Sequence, residues 1–356
     1  MVDKVIVYDL EEFYNTPFGK KLSENGFEME TSQTVDSKKI IVPINGGGQG
    51  KVYKATKANN KYAIKILFTK KVKSQDIEVS SQEDFLEDYK GFINEVHKTL
   101  AGTKKFNPYT MKSSNYFYEE NNEYKYALIV FPFIDTTLAE QMKATSLFEE
   151  DEQSNKLVLI RIIKDICSGM MVCDKENIVH LDIKPENVFY DSEKYIIGDF
   201  GIAQKKGTYF RPKGCSWEYA APEYKRRIIN IGKEISEQKN YKDEDVLIKA
   251  RTTLDTFSIG VILFALSLQL YDRDSLANGE MPKKWWEKRE ELLEKINDKK
   301  LKEIIKKATD SDRKKRYASA EKLKEAIEDY EEDILSPNVD KPSKTLKITR
   351  IFKRPS

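Results

Sequence analysis

The chain of 356 residues is long enough for one large domain or two smaller ones, and 39% apolar residues can build a sizeable core. Charged residues reach 34%, but 61 basic against 59 acidic side chains leave a net charge of +2, which argues against a dedicated nucleic-acid binder. Two histidines and three cysteines without metal-ligand spacing exclude a histidine-rich metal site and a disulfide framework, and fit a reducing compartment.

At the N-terminus, acids interrupt MVDKVIVYDLEEFYN too early for a secretory signal, so a cytoplasmic protein is expected. Residues 1–39 combine a strand-like piece, VIVY, with a stretch of no strong period, and read as an N-terminal extension. From 40 to 68 the runs KIIVPI, KVYKATK and KYAIKILF are β-rich. A glycine cluster and Asn59-Asn60 separate them, which predicts two consecutive hairpins. A polar loop over 70–84 leads into a predicted helix with Phe85, Tyr89, Phe92, Ile93 and Val96 on one face and a stop at Gly102. Strands are expected near 115–119 and 124–131.

Beyond residue 138 helical spacing takes over. Leu159, Ile162, Ile163, Ile166 and Met170 make one apolar face. FSIGVILFALSLQLY, 257–271, falls short of the roughly 20 residues a membrane span needs. It is apolar around most of its circumference and so predicts a buried helix. Residues 225–250 are highly charged and weakly periodic and read as an inserted loop or helix, expected to be solvated and poorly ordered, with docking of a partner or substrate as the alternative. Helices near 285–308 and 318–335 close the domain, and a basic, proline-containing tail spans 336–356. The predicted fold class is α+β: a β-rich lobe over 40–131 and an α-rich lobe over 132–335, joined near 131–136.

The chemistry concentrates in two places. INGGGQGKVYKA sets glycines between two predicted strands, where backbone N–H groups can approach a phosphate; Asn45, Val52 and the following strand exclude a Walker A loop. Lys65, within YAIKIL, needs an anionic partner if buried, and Glu95 is the candidate. Downstream, HLDIKPENVFYDSEKYIIGDFG offers Asp182 to orient or deprotonate a hydroxyl and Lys184 to offset negative charge. Asn187 and Asp199 supply oxygen ligands suited to a hard cation such as Mg²⁺. Phosphoryl transfer requires this inventory.

These motifs, in this order over roughly 40–335, resemble the eukaryotic-type protein kinase family, whose template is well described. The resemblance implies a bilobal fold, ATP and Mg²⁺ as cofactors and a protein substrate with Ser or Thr. Asn45, Gly46, Gly47, Gly48 and Gly50 would form the glycine-rich loop, and Val52 and Ala63 would cover the adenine. Lys65, paired with Glu95, would hold the α- and β-phosphates, while Asn187 and Asp199 would hold the metal. His180-Leu181-Asp182 matches the catalytic loop, with Asp182 as base, and Ala221-Pro222-Glu223 closes the activation segment. The family pattern also implies that Asp255 anchors the catalytic loop and that Arg316 pairs with Glu223. Lys184 and Ser216 follow the Ser/Thr pattern.

The sequence departs from the family pattern at several positions. Leu181 replaces an arginine that reads a phosphorylated activation segment, so strict dependence on such a phosphate at Thr208, Tyr209 or Ser216 is not expected. Asn45 replaces the first glycine, and Glu95 lies unusually far from Lys65, with Glu87 as a rival. A pseudokinase that binds nucleotide or partner, and a small-molecule kinase of related fold, are the alternatives. Residues 1–39 or 225–250 are candidates for contact with an activator, and the tail 336–356 for contact with anionic membrane. Cys215 reads as a passive small residue, with a redox handle as the alternative. The compact length would suit a bacterial kinase delivered into a host cell.

Overall fold

The computed structural model describes residues 8–31, 33–35, 38–47, 50–70, 93, 96, 108–144, 147–148, 151–237, 241–276 and 278–336. β1 (Tyr8–Asp9), α1 (Leu10–Asn15), α2 (Pro17–Glu24) and β2 (Glu28–Met29) come first. Local chemistry starts both helices: Asp9 accepts from Glu11 N at 2.9 Å, and Thr16 accepts from Gly19 N at 3.0 Å with Pro17 in the first turn. β3 (Gln33–Val35) and β4 (Lys38–Ile41) then pair, and β1 joins the other side of β4.

β5 (Asn45–Gly47), β6 (Gly50–Lys57), β7 (Asn60–Lys70), β8 (Asn115–Glu120) and β9 (Tyr124–Pro132) build the main sheet in the order β2-β6-β7-β9-β8, with β5 on β6. The second hairpin is as expected, except that Ala58 and Asn59 form the β6–β7 turn, both at positive φ; in the first, the strand opposite β6 is β5 in the glycine cluster, while KIIVPI supplies β4 to the other sheet. Gly50 is the one residue type its site allows. Its φ is +108°, and a Cβ there would sit 2.8 Å from the Ile66 carbonyl oxygen.

Alternation divides the sheet into two faces. Ile64, Ile66, Tyr126, Leu128 and Val130 point outward into a core that Phe13, Phe18, Leu22 and Phe27 complete. The N-terminal stretch is therefore part of the small lobe, not an appendage to it. Leu67, Ala127, Ile129 and Phe131 point inward and join the core of the large lobe. Of the helix expected around 85–102, only Ile93 and Val96 are described, and both are buried in this inner core. Glu87, Glu95, Gly48 and the tail beyond Ser336 lie outside the described residues.

The chain crosses to the large lobe through β10 (Thr136–Thr137) and α3 (Leu138–Lys143), which opens on a capping box of Thr137 and Glu140. α4 (Glu152–Lys175), capped by Asp151, buries Leu159, Ile162, Ile163, Ile166 and Met170 as its period predicts. β11 (Ile178–Val179), β12 (Val188–Tyr190), β13 (Tyr195–Ile197), β14 (Gln204–Lys205) and β15 (Tyr209–Phe210) carry the intervening loops.

α5 (Pro222–Glu237) decides between the loop and the helix that the sequence left open for this segment, against the poorly ordered reading. It is a helix, and α6 (Asp243–Val246) and β16 (Ile248–Lys249) follow it. Its charges have local uses: Arg227 donates to the Leu247 and Glu244 carbonyls, and Asn230 to that of Asp245. α7 (Thr252–Tyr271) has the length and composition of a membrane span, yet 89% of its apolar window is buried inside the protein. α4 flanks it, as do α9 (Lys299–Ala308) and α10 (Ala320–Leu335), with the short α8 (Arg289–Glu294) before them.

Candidate active site

The catalytic loop is held from below. Asp255, 2% exposed in the first turn of α7, accepts from the backbone N–H groups of His180 and Leu181, both at 2.8 Å. Burial pushes its carboxyl up to about 7 even though those two donors favour the ionised form. The bond to Leu181 fixes a backbone that Leu181 would otherwise avoid, at φ +70°. Asp199 is likewise left-handed, at φ +54°. Such non-glycine positions are unfavourable by about 1–3 kcal/mol each and persist only where the surroundings impose them.

His180 links the two strained positions. Its buried ring is held neutral: burial lowers its pKa, Nδ1 accepts from Asp182 N at 3.3 Å, and Nε2 donates to the Gly198 carbonyl at 2.9 Å. Phe200 stacks against it with ring centroids 4.6 Å apart. Asp199 is thereby directed toward the small lobe, where Lys65 Nζ donates to its Oδ1 at 2.6 Å. Burial works against ionisation of Asp199, but the charge and hydrogen bond of Lys65, helped by the Lys184 charge, hold the carboxyl below the ordinary range. The expected Lys65–Glu95 pair falls outside the described residues; among the described residues Lys65 pairs with Asp199.

Asp182, buried beside this pair, is the centre of a second cluster. Ser216 Oγ donates to Asp182 Oδ1 at 2.8 Å, and Lys184 Nζ donates to Ser216 Oγ at 3.0 Å and lies 3.3 Å from Asp182 Oδ2. Asn187 Nδ2 donates to the Asp182 carbonyl at 2.8 Å and to Oδ2 at 3.1 Å. Its donors are thus turned to Asp182, and its amide oxygen makes no hydrogen bond among the described residues, as a ligand position requires.

A cleft of about 420 Å³ lies between the lobes, within the usual range of about 300–1,000 Å³ for small-molecule sites. Val52 and Ala63 line it on the sheet side, and Lys65, Asn187 and Asp199 at its polar end. Sequence reasoning missed Ile44, Met111, Phe133 and Phe189 in the same lining. Nothing local marks these as anything but core or loop residues. Phe189 alone carried a hint, standing two positions after Asn187.

The activation segment is tied down by backbone pairing. β14 pairs with β11 and β15 with β16, and Lys206 N donates to the Asn177 carbonyl at 2.7 Å. Leu181, where a phosphate-reading arginine would stand, is buried in the core. At the segment's end Glu223 receives both terminal nitrogens of Arg316, at 2.9 and 2.8 Å, and the guanidinium lies 4.7 Å from the Phe257 ring centre. Burial pushes the Cys215 thiol up to about 11, which keeps it protonated at neutral pH and favours the passive reading over the redox one.

The protein kinase domain family model matches residues 39–327, and the chain belongs to the eukaryotic-type protein kinase family. Aurora kinase B of Mus musculus is 24% identical over 218 residues, covering 58% of this chain and 56% of that one. The interferon-induced, double-stranded RNA-activated protein kinase of Rattus norvegicus is 25% identical over 203 residues, covering 55% of this chain and 37% of the relative. The serine/threonine-protein kinase VHS1 of Saccharomyces cerevisiae is 31% identical over 117 residues, covering 32% and 24%. The matches thus span about half or less of the relatives' own lengths.

Proposed function

We propose that this chain transfers the γ-phosphoryl group of ATP to serine and threonine hydroxyls of proteins, with magnesium as cofactor. The observation that carries this reading is the bonded cluster of Asp182, Ser216 and Lys184, which Asn187 connects to the cleft of Lys65 and Asp199. Asp182 orients the attacking hydroxyl and takes its proton. Lys184 offsets charge on the group in transfer, and Lys65 holds the α- and β-phosphates. The Asp199 carboxylate and the Asn187 amide oxygen fit a hard cation, and magnesium held there would neutralise phosphate charge and orient the terminal group. Backbone N–H groups of the glycine-rich loop, from Gly46 to Gly50, cover the phosphates.

Two further features bear on specificity and control. Lys184 and Ser216 support serine and threonine over tyrosine as acceptors. The backbone pairing of the activation segment, with Leu181 buried, supports activity without strict dependence on its phosphorylation.

Labelled ATP and a generic protein substrate test the proposal. The wild type is expected to label serine and threonine, and Asp199→Ala to lose at least about a hundredfold in rate. Equal or absent labelling by both would instead mark a binding module.

A further inference from the structure

Apart from the inter-lobe cleft, a larger cavity of about 790 Å³ opens where the activation segment meets the large lobe. Trp217, Trp285 and Trp286 line it, and they are all three tryptophans of the chain. Trp285 is fixed in place, its indole N–H donating to the Glu218 carbonyl at 2.7 Å and its ring packed on Phe257 and Phe264. Trp217 and Trp286 remain 39% and 38% exposed.

Lys225, in the first turn of α5, lines the same cavity at only 8% exposure. Among the described residues, no carboxylate lies within ion-pair distance of its ammonium and no acceptor bonds it. Its ammonium rests 3.7 Å from the centre of the Trp286 ring. Burial without a counter-charge pulls its pKa down to about 8, and Glu218 acts on it only at longer range. An unpaired buried cation is unfavourable, and an incoming anion removes the penalty. Arg226 and Lys288, also in the lining, have no acidic partner among the described residues. Glu287 and Glu290, by contrast, are engaged by Lys284, Arg289 and Lys306.

We propose that this cavity docks an acidic segment of the protein substrate, with a glutamate or aspartate side chain entering between Trp217 and Trp286 to pair with Lys225. The proposal rests on the protein-phosphorylating function proposed above. The position suits it, because Trp217 follows Ser216, the residue bonded to Asp182. The charge suits it as well: Lys225 is the buried cation of the lining, and the carboxylates Glu291 and Asp310 favour entry of a single acidic side chain over a long polyanion. The chain's own basic tail has the wrong sign to be the occupant.

With all its tryptophans here, selectively excited tryptophan emission comes from this pocket, free of the chain's 19 tyrosines. A synthetic peptide with one central serine and flanking glutamates should change the emission of the full chain saturably, and its glutamine counterpart should not. Lys225→Met should weaken the acidic peptide by at least about tenfold and raise its KM by a similar factor. Turnover and the KM of the neutral peptide should stay unchanged, and Lys225→Arg should restore binding.

Equal responses to the glutamate and glutamine peptides would overturn the proposal. So would the same saturable change with inorganic phosphate alone or with a single-stranded oligonucleotide, or an unaltered KM in Lys225→Met. If Lys225→Met does not fold, the glutamate-to-glutamine comparison on wild type and Lys225→Arg decides. An inactive chain that binds acidic peptide through Lys225 would sink the phosphotransfer reading and leave the pocket standing; an active chain indifferent to Lys225 would do the reverse.

Discussion

Ser216 bonds two catalytic-loop side chains through one hydroxyl, donating to Asp182 and accepting from Lys184. Removing it takes away this bridge and leaves only the direct 3.3 Å approach of Lys184 to Asp182. Ser216→Ala is expected to lower turnover by about ten- to a hundredfold, since bonds to charged groups contribute about 1.5–3 kcal/mol. The KM for ATP should hold, because Ser216 does not line the cleft. Ser216→Thr should retain activity, and steady-state kinetics on the three proteins check this.

Asp255 and His180 give opposite pH responses. The Asp255 carboxyl rises from 3.8 to about 7 on folding, so its contribution is full below 3.8 and lost as pH rises through 7. Burial lowers His180 from 6.5, so its contribution is present above 6.5 and lost as pH falls. Between 6.5 and 4 the two oppose each other. Asp255→Asn removes one of them, so its stability should fall more steeply than the wild type's on acidification from 7 to 5. Denaturant titrations at several pH values measure both slopes, and equal slopes would refute the assignment.

At the scale of elements, the activation segment illustrates how a loop is ordered without added charge. β14 and β15 are each only two residues long, but each finds a strand of the large lobe. Thr208 donates to the Lys205 carbonyl, and Tyr209 stands 66% exposed. The double variant Thr208→Ala, Tyr209→Phe should keep most activity; a loss beyond about a hundredfold, roughly 2.7 kcal/mol, would overturn the view.

The catalytic loop was legible in sequence because its groups lie within a short stretch whose spacing is the signal. α4 and α7 were legible because long apolar periods survive inspection. α1 and α2 were not: at six and eight residues they are too short to establish a period, and Phe13, Phe18, Leu22 and Phe27 acquire a common face only against the sheet. α5 was legible only as a loop or a helix, because Arg227 and Asn230 bond carbonyls of α6 and the residue after it, partners that composition does not reveal. The Lys225 pocket joins residues some 60 positions apart, so no local pattern could announce it.

For the molecule as a whole, the folded unit begins earlier than the family match. That match starts at residue 39, whereas Phe13 is fully buried against Tyr14, Phe18 and Tyr53. Phe18 extends the cluster to Phe68 and Tyr126 on the sheet. Phe13→Ala should therefore destabilise the protein by about 3–5 kcal/mol, as for an aromatic removed from a core. Chemical denaturation checks this, and a change below about 1 kcal/mol would mean that α1 and α2 rest on the small lobe without supporting it.

α7 has a consequence that belongs to synthesis, not to the finished enzyme. It leaves the ribosome with α4 already made, but α9 and α10, which cover its remaining sides, are still to be translated. At about 5–20 residues per second, that interval lasts several seconds. Throughout it, the nascent chain displays a stretch as oily as a bilayer anchor, and the large lobe matures in competition with aggregation and with the cell's membrane-insertion machinery.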